Sequence, residues 1–242
     1  MKSTDVQRLV DLSGHDCREQ AAHVTRRDTH EPMVWQTDLE AAGIVCQPFW
    51  DTPCDLEGEC YTEYIASHKD FSLGVRQSLM PMITAAQSYL PLDWQIVLKA
   101  GYRPIGVQRR LMKKFTAHVQ RTHTDWSNEQ CIMYARDFVA DPTSTCPPHT
   151  TGGAIDIDIV SRTNQKPVDM GCPPNTDTEI ARLWFDGLTD EQRANRTTLV
   201  TAMIRSGFAP LPAEWWHFQY GDTYWAAFYG HDTTLYDIME EI

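Results

Sequence analysis

The sequence has no run of about 18 apolar residues, which is the shortest stretch typical of a membrane-spanning helix. Residues 1–30 also lack the apolar segment at the centre of a signal peptide. The first absence predicts that the protein does not insert into a membrane. The second predicts a cytoplasmic protein, with a periplasmic or secreted location as the alternative if a leader has been removed.

Positive charge is scarce in this chain. It contains 21 Lys and Arg residues against 33 Asp and Glu residues, which gives a formal net charge of -12 at pH 7. Nucleic acids and anionic membrane surfaces attract basic proteins, so this balance argues against both as partners. A small zwitterionic substrate is compatible with it.

The seven cysteines follow no zinc-finger spacing and include no C-x-x-C pair. Their odd number and irregular spacing favour a set of reduced thiols. Cys54 and Cys60 lie close together in an acidic stretch, and they could form a disulfide if the protein is exported.

A short stretch that carries metal-binding residue types is PHTTGGAIDID, residues 148–158. The glycine pair at 152–153 argues against a helix, because glycine is unfavourable in a helix interior and favourable at a turn. The next residues alternate, which predicts a strand with its isoleucines facing a core and Asp156 facing the other way. His149 before the turn and Asp156 after it can therefore converge on one point.

A second stretch, AEWWHF at residues 213–218, supplies His217 and Glu214. Two imidazoles and one carboxylate, from His149, His217 and Asp156, make a three-ligand zinc set with an open position, as in catalytic zinc sites. Glu214 is the candidate general base for a zinc-activated water. Residues three apart share a face on a helical turn but not on a regular strand, so we expect a turn or irregular segment over residues 214–217.

Four short motifs occur in order along the chain. The first is H-x-x-G-x-A-x-D at residues 149–156, and the second is E-W-W-H at residues 214–217. The others are G-Y-R-P at residues 101–104 and D-M-G at residues 169–171. Together they resemble those of the zinc D-alanyl-D-alanine dipeptidases of the VanX-like group.

The resemblance implies hydrolysis of D-alanyl-D-alanine or a similar small dipeptide with one zinc ion. It implies that Arg103 stabilises the oxyanion formed when water adds to the scissile carbonyl. Asp169 is a candidate acceptor for the ammonium end of the substrate, although an aspartate that forms a turn explains it equally well.

Two positions depart from the family pattern. The serine usually found two residues before the first histidine is Pro147, and the aspartate usually found three residues before the arginine is Ala100. These departures leave a related D,D-carboxypeptidase or L,D-peptidase acting on peptidoglycan peptides as an alternative. A non-catalytic peptide-binding module is a second alternative, but such a module needs neither Glu214 nor Arg103.

Hydrophobic periodicity predicts helices at about residues 73–90, 105–119, 127–140 and 189–206, and strands at residues 94–99 and 154–160. This order predicts an α+β fold with helices flanking a small, largely antiparallel sheet that carries the zinc site. The resemblance implies the same fold. We expect one catalytic domain over residues 1–242, with an N-terminal arm (1–32), a loop-rich segment (33–70) that holds a solvated acidic patch including Glu57, a catalytic core (71–230) and a tail (231–242).

Overall fold

The computed structural model describes residues 3–51, 56–141, 143 and 146–239. The helices in these residues are α1 (Ser3–Leu12), α2 (Arg18–Ala21), α3 (Gln36–Ala41), α4 (Leu56–Ile65), α5 (Leu79–Tyr89), α6 (Ile105–Thr122), α7 (Asn128–Phe138), α8 (Asp190–Arg205) and α9 (Thr223–Tyr229). The strands are β1 (Met33–Trp35), β2 (Val45–Cys46), β3 (Gly74–Arg76), β4 (Trp94–Ala100), β5 (Ala154–Ser161), β6 (Ala209–Leu211) and β7 (Glu214–Gln219).

Five of the strands form one sheet in the order β2-β4-β5-β7-β6. Only the β2–β4 pair is parallel; the other three pairs of this sheet are antiparallel. β1 and β3 form a separate antiparallel pair. The expected α+β fold with a small, largely antiparallel sheet is confirmed.

The buried apolar residues of the described chain form two clusters. Ile155, Ile157 and Ile159 of β5 are fully buried in the larger core, which also contains the apolar residues of α1, α5 and α8. A second apolar cluster joins α4, α6 and α7. As predicted from the alternation, Asp156 does not share the core face of the isoleucines.

The helix predictions hold where capping signals are strong. Helices begin immediately after Ser127 and Thr189, and each of these side chains accepts a hydrogen bond from the backbone N–H of the glutamine three residues later. The helix predicted from residue 73 begins only at Leu79, because Pro81 is tolerated in a first turn but not in a helix interior. Residues 74–76 form β3 instead.

The segment 33–70 differs from its prediction as a loop-rich region. It contains α3 and α4, and Glu57 in the first turn of α4 is buried rather than solvated. The reason is a buried cation: Glu57 forms an ion pair with Arg103, 46 residues further along the chain. The possible Cys54–Cys60 disulfide involves Cys54, which lies outside the described residues.

The N-terminal arm is anchored to the rest of the protein, because Val6, Leu9 and Val10 of α1 are buried in the larger core. Across the described part of the chain, none of the helices combines the length and the apolar character needed to cross a membrane.

Candidate active site

His149 lies in a single 3-10 turn, Pro148–Thr151, that leads into β5. Gly152 ends this turn with a φ of 73°, a left-handed conformation that glycine adopts without strain. The Nδ1 of His149 lies 2.8 Å from the carbonyl oxygen of Gly101. Since a carbonyl can only accept, Nδ1 carries the proton and Nε2 keeps its lone pair for a metal.

Asp156 and His217 are direct partners in the antiparallel pair of β5 and β7. Asp156 Oδ1 lies 3.0 Å from His217 Nδ1, and Asp156 Oδ2 lies 3.1 Å from His149 Nε2. The three candidate ligand atoms all lie within 4.8 Å of one another, and all three side chains are buried. The structure therefore brings the three residues of the predicted zinc set together, on the sheet.

The donor set fits a catalytic zinc ion, because two imidazole nitrogens and one carboxylate oxygen converge from rigid elements. The second nitrogen of His217, Nε2, is buried with no hydrogen-bond partner among the described residues. Burial would lower the pKa of His217, but the hydrogen bond and the charge of Asp156, with smaller effects of Glu214 and Asp222, raise it.

Glu214 lies beside the cluster, with its Oε2 3.8 Å from His217 Nδ1. Of the turn or irregular segment expected over residues 214–217, the turn does not form, because these residues belong to β7. The pairing with β6 is nevertheless irregular: consecutive residues Pro210 and Leu211 pair with Phe218 and Glu214, which are four apart. Such an irregularity breaks the two-residue alternation of a strand and lets Glu214 and His217 approach each other.

Burial and charge set the protonation states of the cluster. Burial lowers the pKa of His149 to about 4, so this imidazole is neutral and able to bind a metal at pH 7. Burial would raise the pKa of Asp156, but the two histidines hold it well below its usual range. Burial raises the pKa of Glu214 to about 7, which suits a group that must both take and return a proton.

Arg103 follows β4 and is connected to the turn that carries His149. Its backbone N–H donates to the carbonyl of His149 at 3.0 Å. Its guanidinium is buried and donates through Nη1 to Gln108 and through Nη2 to Glu57. Burial alone would lower the pKa of Arg103, but the charge of Glu57 raises it above its ordinary value, so the guanidinium is a fixed cation.

The sixth predicted residue, Asp169, is not brought to the cluster. It is exposed, and its Oδ1 accepts from the backbone N–H of Gly171 at 2.9 Å, as a turn-forming aspartate does. Its carboxylate also accepts from Gln192 at 3.0 Å. Asp169 does not line the cavity that contains the site.

That cavity has a volume of about 940 Å³ and is lined by His149, Asp156, His217, Glu214 and Arg103. Glu57 and Asp177 also line it. Neither residue is marked by a local sequence signal: the partner of Glu57 is distant in sequence, and Asp177 lies in an irregular segment with no periodic pattern. Of the two adjacent tryptophans, Trp216 lines the cavity, whereas Trp215 donates to the carbonyl of Cys172.

Residues 67–234 match the family model described as D-ala-D-ala dipeptidase, peptidase family M15. The chain belongs to this family. It is 29% identical over 161 residues to a D-alanyl-D-alanine dipeptidase of Synechocystis sp., and 26% identical over 143 residues to one of Enterococcus faecium. These matches cover 55% and 56% of this chain and only 62% and 64% of those relatives.

A likeness to a solved structure is weaker. A mutant of the vancomycin-resistance D,D-pentapeptidase VanY from a VanB-type cassette, in complex with Zn(II), is 17% identical with a TM-score of 0.38. The match covers 62% of this chain and 75% of that one.

Proposed function

We propose that this protein is a zinc-dependent peptidase that hydrolyses the peptide bond of D-alanyl-D-alanine or a similar dipeptide. The observation that carries the proposal is the buried convergence of His149, Asp156 and His217, with the Glu214 carboxylate 3.8 Å from a ligand nitrogen. A protein that only binds peptides needs no general base beside these three residues. The membership of the D-ala-D-ala dipeptidase family supports the same reaction.

His149 Nε2, His217 Nδ1 and one oxygen of Asp156 would hold a single zinc ion. When bound, the ion polarises the scissile carbonyl and lowers the pKa of a water molecule. Glu214 takes a proton from the attacking water while the oxygen of that water bonds to the carbonyl carbon. The carbon–nitrogen bond then breaks, and Glu214 returns the proton to the leaving amine.

Arg103 supplies positive charge for the oxyanion that develops on the carbonyl oxygen. Its Nη1 and Nη2 have protein partners, whereas its Nε is buried with no partner among the described residues. The Nε–H is therefore available as a donor to the substrate. Loss of such a donor typically raises the barrier by about 2.7 to 4 kcal/mol.

The ammonium end of a free dipeptide needs an acceptor in the cavity. Asp169 does not line the cavity, but Asp177 does. Glu57 and Asp141 also line it, but each is paired with an arginine, so we assign the ammonium to Asp177. Asp177→Asn is expected to raise KM for the free dipeptide by about tenfold or more, the loss of one charge-assisted hydrogen bond. Asp169→Asn is the matched control and should leave KM unchanged.

The size of the cavity favours one competing function. A volume of about 940 Å³ lies near the upper end of the range for small-molecule sites, so a peptide longer than a dipeptide would fit. A D,D-carboxypeptidase that removes the last D-alanine from a peptidoglycan peptide would use the same zinc chemistry.

A substrate panel separates the two functions. Zinc-loaded protein is given D-alanyl-D-alanine, L-alanyl-L-alanine and N-acetyl-D-alanyl-D-alanine, and release of free amine is measured. We expect cleavage of the free D,D dipeptide and at least about 100-fold lower kcat/KM for the acetylated one, which has no ammonium. Preference for the acetylated substrate would favour the carboxypeptidase. No cleavage of any of them with zinc bound would reject the dipeptidase proposal.

A further inference from the structure

A buried ion pair links the candidate active site to a helix from outside the family-matched segment. Glu57 in α4 accepts from Arg103 Nη2 at 2.5 Å, and the two side chains are 11% and 7% exposed. The match to the family model begins only at residue 67.

We propose that Glu57 is a positioning residue that holds the guanidinium of Arg103 in place beside the metal-binding cluster. Helix α4 thereby provides the counter-charge for this guanidinium. This inference rests on the proposed peptidase function, in which Arg103 stabilises the oxyanion.

The physical need for a partner follows from the burial of Arg103. A buried guanidinium requires a counter-charge, and removal of one member of a buried ion pair leaves the other charge uncompensated. Gln108, which accepts from Nη1 at 2.9 Å, is neutral and cannot provide that charge. Glu57 therefore supplies both the charge and the second fixed contact of the planar guanidinium.

The alternative is that the Glu57–Arg103 pair has a purely structural role and attaches α4 to the rest of the protein. Two other glutamates of α4 make purely surface contacts: Glu59 and Glu63 both pair with Lys114 of α6, at 3.3 Å and 2.6 Å. Glu63 is half exposed. Glu63→Gln is therefore the matched control, because it removes an ion pair between α4 and α6 without touching the site.

The test compares Glu57→Gln, Glu57→Asp and Glu63→Gln in the full-length chain. We expect Glu57→Gln to lower kcat by about 100-fold, the loss typical of one misplaced oxyanion donor. KM and zinc affinity should stay within about threefold, because neither depends mainly on the guanidinium. Glu57→Asp, which keeps the charge on a shorter side chain, should recover part of the loss. Glu63→Gln should match the wild type.

Two further readouts do not require turnover. A phosphinate analogue of the dipeptide resembles the tetrahedral intermediate, and Glu57→Gln should weaken its binding by about the same factor as kcat. The thermal midpoint of the metal-free Glu57→Gln protein should fall by roughly 6 °C, as expected when a buried charge loses its partner.

The outcomes are distinguishable. If the wild type is active and Glu57→Gln keeps kcat within threefold, the positioning role is wrong, even if the thermal midpoint falls. If Glu57→Gln loses zinc affinity as strongly as kcat, Glu57 acts on the metal site and not on Arg103, which also overturns the inference. If the wild type cleaves no peptide, the proposed function fails, and the binding of the phosphinate still decides whether Glu57 positions Arg103.

Discussion

At the scale of single residues, Asp156 is the charge that holds the buried cluster together. It contacts both histidines at 3.0–3.1 Å, and its negative charge is nearly fully buried. We expect Asp156→Asn to lower zinc affinity by roughly 100-fold or more, because an amide is a weak ligand and the site loses its only anionic donor. A competition titration with a chromogenic chelator measures this change.

The control for that experiment is Asp158→Asn. Asp158 lies two residues further along β5, and so on the same face of the strand, but it is half-buried and outside the cluster. It should leave zinc affinity unchanged. Equal weakening by both substitutions would mean that the cluster is not the metal site.

The raised pKa of Glu214 predicts the acid side of the pH profile. A general base must be ionised, and burial raises the pKa of this carboxyl from 4.5 to about 7. A bound cation would lower the pKa of Glu214 again. We therefore expect kcat/KM to fall as the pH decreases, with an apparent pKa between 4.5 and about 7. The measurement is kcat/KM from about pH 5 to pH 9. A profile that stays flat below about pH 7 and declines only where zinc dissociates would contradict this role.

Prediction from sequence worked best for residues that lie in local motifs. The convergence of His149, Asp156, His217 and Glu214 could be predicted, because each lies in a short motif and their residue types suit one metal. Glu57 could not, because nothing local indicates that α4 packs its first turn against Arg103. The motif of Asp169 fits an ammonium acceptor and a turn-forming aspartate equally well, and in the structure Asp169 accepts from Gly171 and Gln192 as a turn-forming residue does.

At the scale of elements, the junction between the His149 turn and β5 fixes the distance between His149 and Asp156. Gly153 lies at this junction, and a Cβ atom there would come within 2.3 Å of the carbonyl oxygen of Tyr220. We expect Gly153→Ala to destabilise the protein by about 2 to 3 kcal/mol and to weaken zinc binding, because β5 must shift relative to the strand that carries His217. Denaturant unfolding and zinc titration test this.

Gly43→Ala is the control for the glycine substitution. Gly43 has a φ of 82° with no atom within 4 Å of an added Cβ, so alanine there costs about 1 to 2 kcal/mol from backbone strain alone. Zinc affinity should not change. Loss of zinc affinity in this variant, or none in Gly153→Ala, would disprove the coupling of the junction to the site.

The elements that sequence patterns predicted well are those with strong periodicity and caps, such as α6, α7, α8, β4 and β5. The irregular pairing of β6 with β7 was less predictable. It depends on how Pro210 and Leu211 meet their partners, and no local pattern encodes this. Residues 214–217 form part of β7 and not a turn. The irregular pairing nevertheless lets Glu214 and His217 approach each other, as the expected turn would have done.

At the scale of the whole molecule, the candidate site joins separate parts of the chain. His149 and Asp156 flank one turn, His217 lies on a neighbouring strand, and Arg103 is held by α4 and α6. A ligand that binds only the folded arrangement stabilises it by mass action. Zinc at about 100 times its dissociation constant should therefore add about 2.7 kcal/mol to the free energy of unfolding.

Thermal unfolding with and without zinc measures that stabilisation. The thermal midpoint should rise by roughly 5 to 10 °C in the wild type and not in His149→Ala. A similar rise of the thermal midpoint in the wild type and in His149→Ala would mean that zinc binds at another site.

The role of Glu214 as the general base beside a zinc ion is tested most directly by measuring zinc content and turnover in the same samples of wild type and Glu214→Gln. We expect both proteins to bind one zinc ion with similar affinity, because Glu214 is not a ligand. Glu214→Gln should hydrolyse the dipeptide about 100 to 10,000 times more slowly, because it has no base to take the proton. Turnover by Glu214→Gln within a few-fold of the wild type would contradict the role of Glu214 as the general base.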